Sequence, residues 1–252
     1  MAAFHRVFSF AAEVVAIAAV PAALVACAWF GIEQTALVSM IVVASALLLF
    51  FAGYEARRPR LREIMPVAVL AALAAAGRIL FAPFPSFKPV SAIAIIAGAV
   101  FGRRAGFMTG ALAALASNFF FGQGPWTPWQ MYAWGMIGYG AGLLAQAGVA
   151  KSLPAMCAYG FASGFAYGLV LNLWSIVGFF HPTDFAQVLA VYAAALPFDA
   201  THAVATVAFL LALYAPWRRK LARIARKYGL VPALSPSCGR GVLSCDTKEV
   251  RQ

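Results

Sequence analysis

Few residues of this chain could do chemistry, and they lie in otherwise apolar stretches. Asp199 and His202 occur in "LPFDATHAVAT", and Arg78 follows an alanine-rich run. Residues three apart share one face of a helix, and Pro197 just before them can open the helical hydrogen bonding. A carboxylate in apolar surroundings needs a counter-charge, so we expect Asp199 to pair with Arg78 or with His202.

One arrangement of these residues would be catalytic. The string "GFASG" at 160–164, with His202 further along, is similar to the Gly-x-Ser-Gly motif of intramembrane serine proteases. Phe161 stands where that motif has glycine, and a glycine stripe already explains the segment by helix packing. A hydrolase using Ser163 and His202 is therefore the less favoured alternative. The sequence contains no paired carboxylates, nucleotide-binding loop or metal-ligand cluster, so we predict neither an enzyme nor a cofactor or metal.

A second set of polar residues belongs to the uncharged aromatic segment "FFFGQGPWTPWQMYAWG", residues 119–135. Its prolines restrict the backbone, tryptophan offers a large apolar face with one N–H donor, and glutamine both donates and accepts hydrogen bonds. An interfacial aromatic belt would explain the tryptophans alone. The added prolines, glycines and glutamines favour a rigid binding surface for an uncharged ligand with apolar faces and amide-like groups. The candidate ligand residues here are Asn118, Gln123, Trp126, Thr127, Trp129 and Gln130.

Other aromatic stretches extend the candidate set. "FAPFPSFKPV" contributes Phe84, Phe87 and Lys88, and the later "LNLWS" contributes Asn172 and Trp174. With the ionisable residues named first, these complete the predicted substrate-binding site.

The elements that must position these residues are membrane-spanning helices. The chain has 252 residues, of which 63% are hydrophobic and 11% are charged, and its mean hydropathy is +0.84. A soluble domain of this length needs more charge to cover its surface, whereas apolar runs of about 17–25 residues cross a bilayer as helices. The sequence therefore predicts an all-α integral membrane protein. Its eight predicted helices cover residues 8–30, 34–53, 64–81, 89–101, 105–121, 130–149, 155–179 and 187–213.

The distribution of basic residues sets the expected orientation. Arginine and lysine cluster near residues 57–62, 103–104, 151 and 218–227, whereas the alternate connections hold one cation, Lys88. By the positive-inside rule both termini are cytoplasmic and the aromatic connections lie outside. The net charge of +11 is then mostly a topology signal. We expect the basic C-terminal cluster to meet anionic lipid rather than nucleic acid, and residues 214–252 to form a disordered tail.

Alanines recur at helical spacing on the third predicted helix. Ala68, Ala72 and Ala76 are four residues apart, and Ala71 and Ala75 lie beside them. Side chains this small let another backbone approach closely. The pattern fits internal packing, which spacing alone favours, or a docking surface for another membrane subunit.

Two further helices combine small residues with an amide. Gly106, Gly110 and Ala114 lead to Asn118, and glycines at 160, 164 and 168 lead to Asn172, each at intervals of four. An amide in hydrocarbon needs a partner. The two amides either bond across helices or point into a cavity that opens outward, and the sequence leaves both interpretations open.

From about residue 64 to 213 the chain resembles the substrate-binding S components of energy-coupling factor (ECF) vitamin transporters. The resemblance rests on "AALAAAGRILFAPFPSFKPVSAIAIIAGAVFG", "GFMTGALAALASNFFFGQGPWTPWQMYAWGMIGYGAGLL" and "LPFDATHAVAT". It implies a six-helix substrate-binding bundle at 64–213. Two additional helices and a basic loop precede it at 1–63, and their role is not explained by the resemblance.

The resemblance also implies a function. S components are not enzymes: they bind a vitamin outside the bacterial cytoplasmic membrane and pass it inward together with a membrane T component and two cytoplasmic ATPase subunits. The family's Ala-x-x-x-Ala coupling motif matches Ala68, Ala72 and Ala76, or the parallel Ala71 and Ala75, which reverses the preference for internal packing. The branch is most similar to cobalamin-type S components, with riboflavin or another flat heterocycle as the nearest alternative ligand.

Overall fold

The computed structural model describes residues 35–55, 60–180 and 184–230, with Val15, Ala18, Ala19 and Ala22 as isolated helical positions. Within these residues the chain forms seven α-helices and no strand, which confirms the all-α prediction. We label them α1 (Thr35–Glu55), α2 (Leu61–Leu80), α3 (Val90–Phe101), α4 (Arg103–Phe121), α5 (Thr127–Gln146), α6 (Leu153–Ser175) and α7 (Phe185–Lys227). A 3-10 turn (Val149–Lys151) precedes α6, and a π-helical turn (Ile176–Phe180) follows it.

The membrane character rests on three of these helices. Leu61–Leu80, Leu153–Phe180 and Phe185–Lys227 are long and apolar enough to cross a bilayer, whereas Met40–Ala52 and Val90–Phe101 are apolar but shorter. The chain is thus a membrane protein, and the count of eight spans stays a prediction. The first predicted helix, 8–30, lies outside the described residues except at the four isolated positions, and so do residues 231–252 of the predicted tail.

Several helix boundaries differ from expectation, and two of the differences have a clear physical reason. Helix α5 begins at Thr127 rather than near 130, because Pro128 fits the first turn of a helix and the amide of Thr127 closes a turn onto the carbonyl of Gly124, 2.9 Å away. Helix α7 continues past Pro216 to Lys227, so the start of the basic segment expected as tail is helical. Arginine and lysine are good helix formers, and their charge is favourable at a helix C-terminus.

Glycine allows the central helices to touch backbone to backbone. A Cβ atom on Gly98 of α3 or on Gly106 of α4 would overlap the carbonyl group of Gly138 on α5. A Cβ on Gly110 of α4 would overlap the backbone of Trp134 on α5. Helices α3, α4 and α5 therefore form the tightly packed core, and the first small-residue seam is confirmed as a packing surface.

The second glycine seam joins α6 to α7. Added side chains on Gly160 and Gly164 would meet Leu210 and the backbone of Ala203, and one on Gly168 would overlap the carboxylate of Asp199. The seam therefore packs the two helices closely and also makes room for an acidic side chain.

The bundle has two chemically different ends. The aromatic end contains the connections at residues 81–89 and 122–126, and the basic end contains Arg62, Arg103, Lys151 and the last turns of α7. The polar candidate residues meet near the aromatic end, where α2 and α4 finish and α3 and α5 begin.

Candidate functional site

The centre of the candidate site is the guanidinium of Arg78, in the last turn of α2. Its Nη1 donates hydrogen bonds to Ser117 Oγ and to Asn118 Oδ1 on α4, both at 2.6 Å. The Arg78 guanidinium carbon also lies 4.7 Å from the ring centre of Phe121 and 4.9 Å from that of Trp134. Arg78 thus joins α2 to α4 and α5, and its charge is surrounded by hydroxyl, amide and aromatic groups.

Asn118 links Arg78 to α5 through hydrogen bonds. The side chain is fully buried, and its Nδ2 donates to Gln130 Oε1 at 2.8 Å and to Thr127 Oγ1 at 3.0 Å. Thr127 Oγ1 in turn donates to Gln123 Oε1 at 2.9 Å. Gln123 Nε2 donates back to the carbonyl of Leu115 at 3.1 Å. Of the two interpretations left open for Asn118, the structure shows the bond across helices.

These residues form one connected set, which we call the guanidinium–amide cluster: Arg78, Ser117, Asn118, Gln123, Thr127 and Gln130. Five of its six members are predicted site residues. Ser117 was missed, although its place beside Asn118 on the outer half of a helix is a signal that could have found it.

Aromatic rings continue from the cluster toward α6 and α7. The rings of Trp134 and Tyr167 are stacked with centres 4.8 Å apart, and the Tyr167 ring lies 4.6 Å from that of His202. His202 is buried and its Nε2 is 2.8 Å from Ser91 Oγ on α3. Sequence reasoning missed Tyr167, Trp134 and Ser91, because an aromatic or serine within an apolar helix gives no signal of what it contacts.

The expected pairing of Asp199 is wrong. Asp199 Oδ2 accepts a hydrogen bond from Asn172 Nδ2 at 3.1 Å, and it forms no ion pair within the parts of the chain that the structure describes. His202, three residues on, bonds to Ser91 instead. The cause is the neighbouring helix: Gly168 on α6 leaves space for the carboxylate, and Asn172, one turn further, supplies the donor.

The 81–89 connection is folded around Lys88. Its ammonium donates to the carbonyls of Phe81, Ala82 and Phe84. The pKa of Lys88 is lowered, first by partial burial and second by the nearby charge of Arg78. Phe87 packs against Phe209 on α7, with ring centres 5.3 Å apart, whereas Phe84 is exposed. Lys88 is thus a structural residue of the loop, and Phe84 remains available for contact.

The tryptophans of the aromatic segment play different parts. Trp126 is half-buried and packs edge-on against Trp174 on α6, with ring centres 6.1 Å apart. Trp129, a predicted ligand residue, is only 1% exposed and lies in the first turn of α5. Because α5 starts early, Trp129 lies in the core of the bundle, and its contact with a ligand stays a prediction.

The two residues of the hydrolase alternative, Ser163 and His202, are bonded to other partners and not to each other. Ser163 is buried and its Oγ donates to the carbonyl of Gly160 at 2.8 Å, while His202 is bonded to Ser91. Ser163 lines a small cavity of about 210 Å³ between α5 and α6, together with Tyr159 and Tyr167. Among the described residues there is also no group of three or more metal-ligating side chains.

The two alanine rows of α2 point in opposite directions. Ala71 and Ala75 are buried against the bundle, whereas Ala68, Ala72 and Ala76 are exposed. Ala71 and Ala75 therefore serve internal packing. Ala68, Ala72 and Ala76 do not pack within the described bundle, so the docking interpretation applies to this exposed row.

Beside the exposed row, toward the basic end, α2 and α7 enclose an apolar groove of about 600 Å³. Its lining includes two cations, and its main residues are Arg62, Met65, Val69, Leu73, Trp217 and Lys220. The groove adds apolar surface to the exposed alanine face of α2.

Comparison with known proteins gives a match to a protein family. No curated protein and no solved structure matches the chain. Residues 58–226, which include α2 to α6 and all of α7 except its last residue, match a protein family described as a family of unknown function, DUF6580. The matched segment contains the whole guanidinium–amide cluster and both alanine rows. The chain therefore belongs to the DUF6580 family.

Proposed function

We propose that this chain is the substrate-binding S component of an ECF-type importer and that it captures a vitamin, cobalamin or a related corrinoid. In this proposal the aromatic end faces outward and both termini are cytoplasmic. Eight helices cross the bacterial inner membrane, two of them preceding the substrate-binding bundle. The chain itself catalyses no reaction and works with a membrane T component and two ATPase subunits.

The observation that carries the ligand-binding role is the guanidinium–amide cluster. Polar and charged side chains within apolar helices are costly, and they commonly mark a functional site. Here Arg78, Asn118 and Gln130 converge from three helices at the end that carries the aromatic connections. The exposed phenylalanine and glutamine side chains nearby, with the half-buried Trp126, suit a large ligand with apolar faces and many amide groups.

The exposed alanine row supports the coupling role. Ala68, Ala72 and Ala76 present a smooth strip on which a helix of another subunit can approach closely. The basic end, with the last turns of α7, lies on the side where the ATPases would assemble.

The direct test is to identify the bound compound. The full chain, produced in cells supplied with cobalamin and riboflavin, is purified and analysed by absorbance and mass spectrometry. A corrinoid spectrum is the expected result, and a flavin spectrum would support the riboflavin alternative. Preparations that hold neither, and that bind neither when it is added, would contradict the proposed function.

The coupling role has its own test. Ala72→Trp places a bulky ring on the exposed row and is expected to prevent association with the T component, while ligand binding in detergent is unchanged. Ala194→Trp, at an exposed alanine of α7, is the matched control. Normal uptake by the Ala72→Trp protein would refute the role of this face.

A further inference from the structure

The guanidinium–amide cluster has hydrogen-bond donors left over. A guanidinium carries five N–H groups and no acceptor. Both hydrogen bonds of Arg78 come from Nη1, so Nη2 and Nε have no hydrogen-bond partner within the described part of the chain. Two buried polar side-chain atoms also lack a partner there, and both are donors: the indole nitrogens of Trp129 and Trp134.

The acceptors of the cluster, in contrast, are occupied. Because Arg78 can only donate, the oxygen of the Asn118 amide must face it and the nitrogen must face α5. That orientation engages the amide oxygen of Gln130 and the hydroxyl of Thr127, which then uses the amide oxygen of Gln123. The donor and acceptor of each bond from Asn118 to Gln123 are therefore set by the guanidinium. The N–H groups without an acceptor are those on Nη2 and Nε of Arg78.

Among the described residues, no carboxylate pairs with the charge of Arg78. Asp199 is bonded to Asn172, and Asp184 caps the start of α7 through the amide of Gln187, 2.8 Å away. Within the described residues neither aspartate forms an ion pair with Arg78. Lys88, whose pKa is lowered by burial and by Arg78, adds a second positive charge at the same end.

A purely structural role for Arg78 does not account for all of its N–H groups. A cation in the last turn of a helix is stabilised by the helix dipole, and a long side chain can reach toward the membrane surface. Neither effect supplies acceptors for the free edge of the guanidinium, which the surrounding Phe121 and Trp134 rings partly desolvate. An arginine in this state fits a carboxylate or phosphate, which accepts two parallel hydrogen bonds from the guanidinium fork.

We propose that the ligand of this site carries an anionic group, a carboxylate or a phosphate, whose oxygens accept hydrogen bonds from the free edge of Arg78. This inference rests on the proposed function, because it takes the cluster for the ligand site. It replaces the expectation of an uncharged ligand, which came from the residues at 119–135 alone. Residues 119–135 carry no charge, and the positive charge at this site is that of Arg78 on α2.

The test compares compounds with and without an anionic group, and the riboflavin pair differs by that group alone, whereas the corrinoid pair also differs by a ribose and a dimethylbenzimidazole. Cyanocobalamin contains a phosphodiester that dicyanocobinamide lacks, and riboflavin 5′-phosphate differs from riboflavin by its phosphate. Binding of all four to the full chain in phosphatidylcholine nanodiscs is measured by calorimetry at fixed ionic strength. For at least one pair we expect the phosphate-bearing member to bind about tenfold tighter or more, equal to about 1.4 kcal/mol.

Variants assign that preference to Arg78. Arg78→Gln is expected to abolish it, and Arg78→Lys to retain part of it, because lysine keeps the charge but loses the fork. Asn118→Asp supplies an internal carboxylate beside Arg78 and should also abolish the preference in a folded protein. Lys151→Gln, which removes an exposed cation at the basic end, is the matched control and should leave it unchanged.

The outcomes separate the two proposals. Equal affinity within both pairs, or a preference that survives in Arg78→Gln, overturns the anion inference and leaves the vitamin-binding function standing. If the protein binds none of the four compounds, the vitamin assignment is contradicted. The anion inference is then tested by measuring the binding of pyrophosphate. If pyrophosphate quenches wild-type tryptophan fluorescence but not that of Arg78→Gln, the inference holds; no difference between the proteins refutes it.

A lipid headgroup is the other source of the same chemistry. Nanodiscs that contain phosphatidylglycerol test this source, because the headgroup would compete for Arg78. If Arg78→Gln reduces retention of phosphatidylglycerol during purification but does not alter the ligand preference, the anion is the lipid and the ligand inference is wrong.

Discussion

Asn118 should contribute more to stability than any buried hydroxyl that bonds only within its own helix. Asn118→Leu keeps a similar volume, so the cavity contribution is small, but it removes one bond from Arg78 and two bonds to α5. A hydrogen bond to a charged group contributes about 1.5–3 kcal/mol and a neutral one about 1 kcal/mol. Interhelical bonds in bilayers average only about 0.6 kcal/mol. Between these limits we expect a loss of about 3 kcal/mol in the free energy of unfolding.

The measurement is reversible unfolding of the full chain in mixed micelles, followed by circular dichroism. Thr206→Val is the control, because Thr206 is fully buried and its hydroxyl donates to the carbonyl of His202, one turn back in the same helix. We expect it to cost less than about 1 kcal/mol. Adding Arg78→Met to Asn118→Leu should recover part of the loss, because the unpaired charge is removed. If Asn118→Leu costs no more than Thr206→Val, the cluster does not hold α2, α4 and α5 together.

Two further predictions concern packing and the 81–89 loop. Gly138→Ala places a Cβ against the carbonyl of Gly106 and should lower the free energy of unfolding by about 2 kcal/mol or more. Gly178→Ala is the control, because the nearest neighbouring atom to its added Cβ is 3.6 Å away, and it should change the free energy of unfolding by less than about 0.5 kcal/mol. Similar values for both would show that the backbone contact of α4 with α5 is relaxed in the membrane. Lys88→Gln should speed hydrogen exchange at residues 81–89 about tenfold or more, because a neutral amide cannot replace three charge-assisted bonds to carbonyls. Exchange at the wild-type rate would contradict the structural role of Lys88.

The helices could be predicted from the sequence because apolar runs and their polar breaks are local properties. The same holds for the two glycine seams, whose spacing of four residues directly predicts a close-packed face. Helix α7 was predicted too short, since a run of arginines and lysines after an apolar helix fits either more helix or a tail. The choice depends on packing of the apolar faces between the cations, which sequence alone does not show.

The members of the site could be predicted better than their partners. Arg78 and Asn118 were each singled out, but they meet across forty residues of chain, and that contact decides which way the amide points. For Asp199 the nearest charged candidates were chosen, whereas the structure provides a neutral donor, Asn172, at a place opened by Gly168. A partner on another helix depends on the rotation of both helices about their axes, which residue spacing does not specify.

The length of α7 has a mechanical consequence. A helix of 43 residues is about 65 Å long, roughly twice the hydrocarbon thickness of a bilayer. Asp199 and Lys227 therefore lie on one continuous helix, with about 42 Å of helix between them and Pro216 in that interval. A tilt of about 10° around Asp199 would swing Lys227 by about 7 Å on that rise per residue. If α7 tilts as one body, a small displacement beside Asp199 therefore becomes a larger displacement of the cationic last turns.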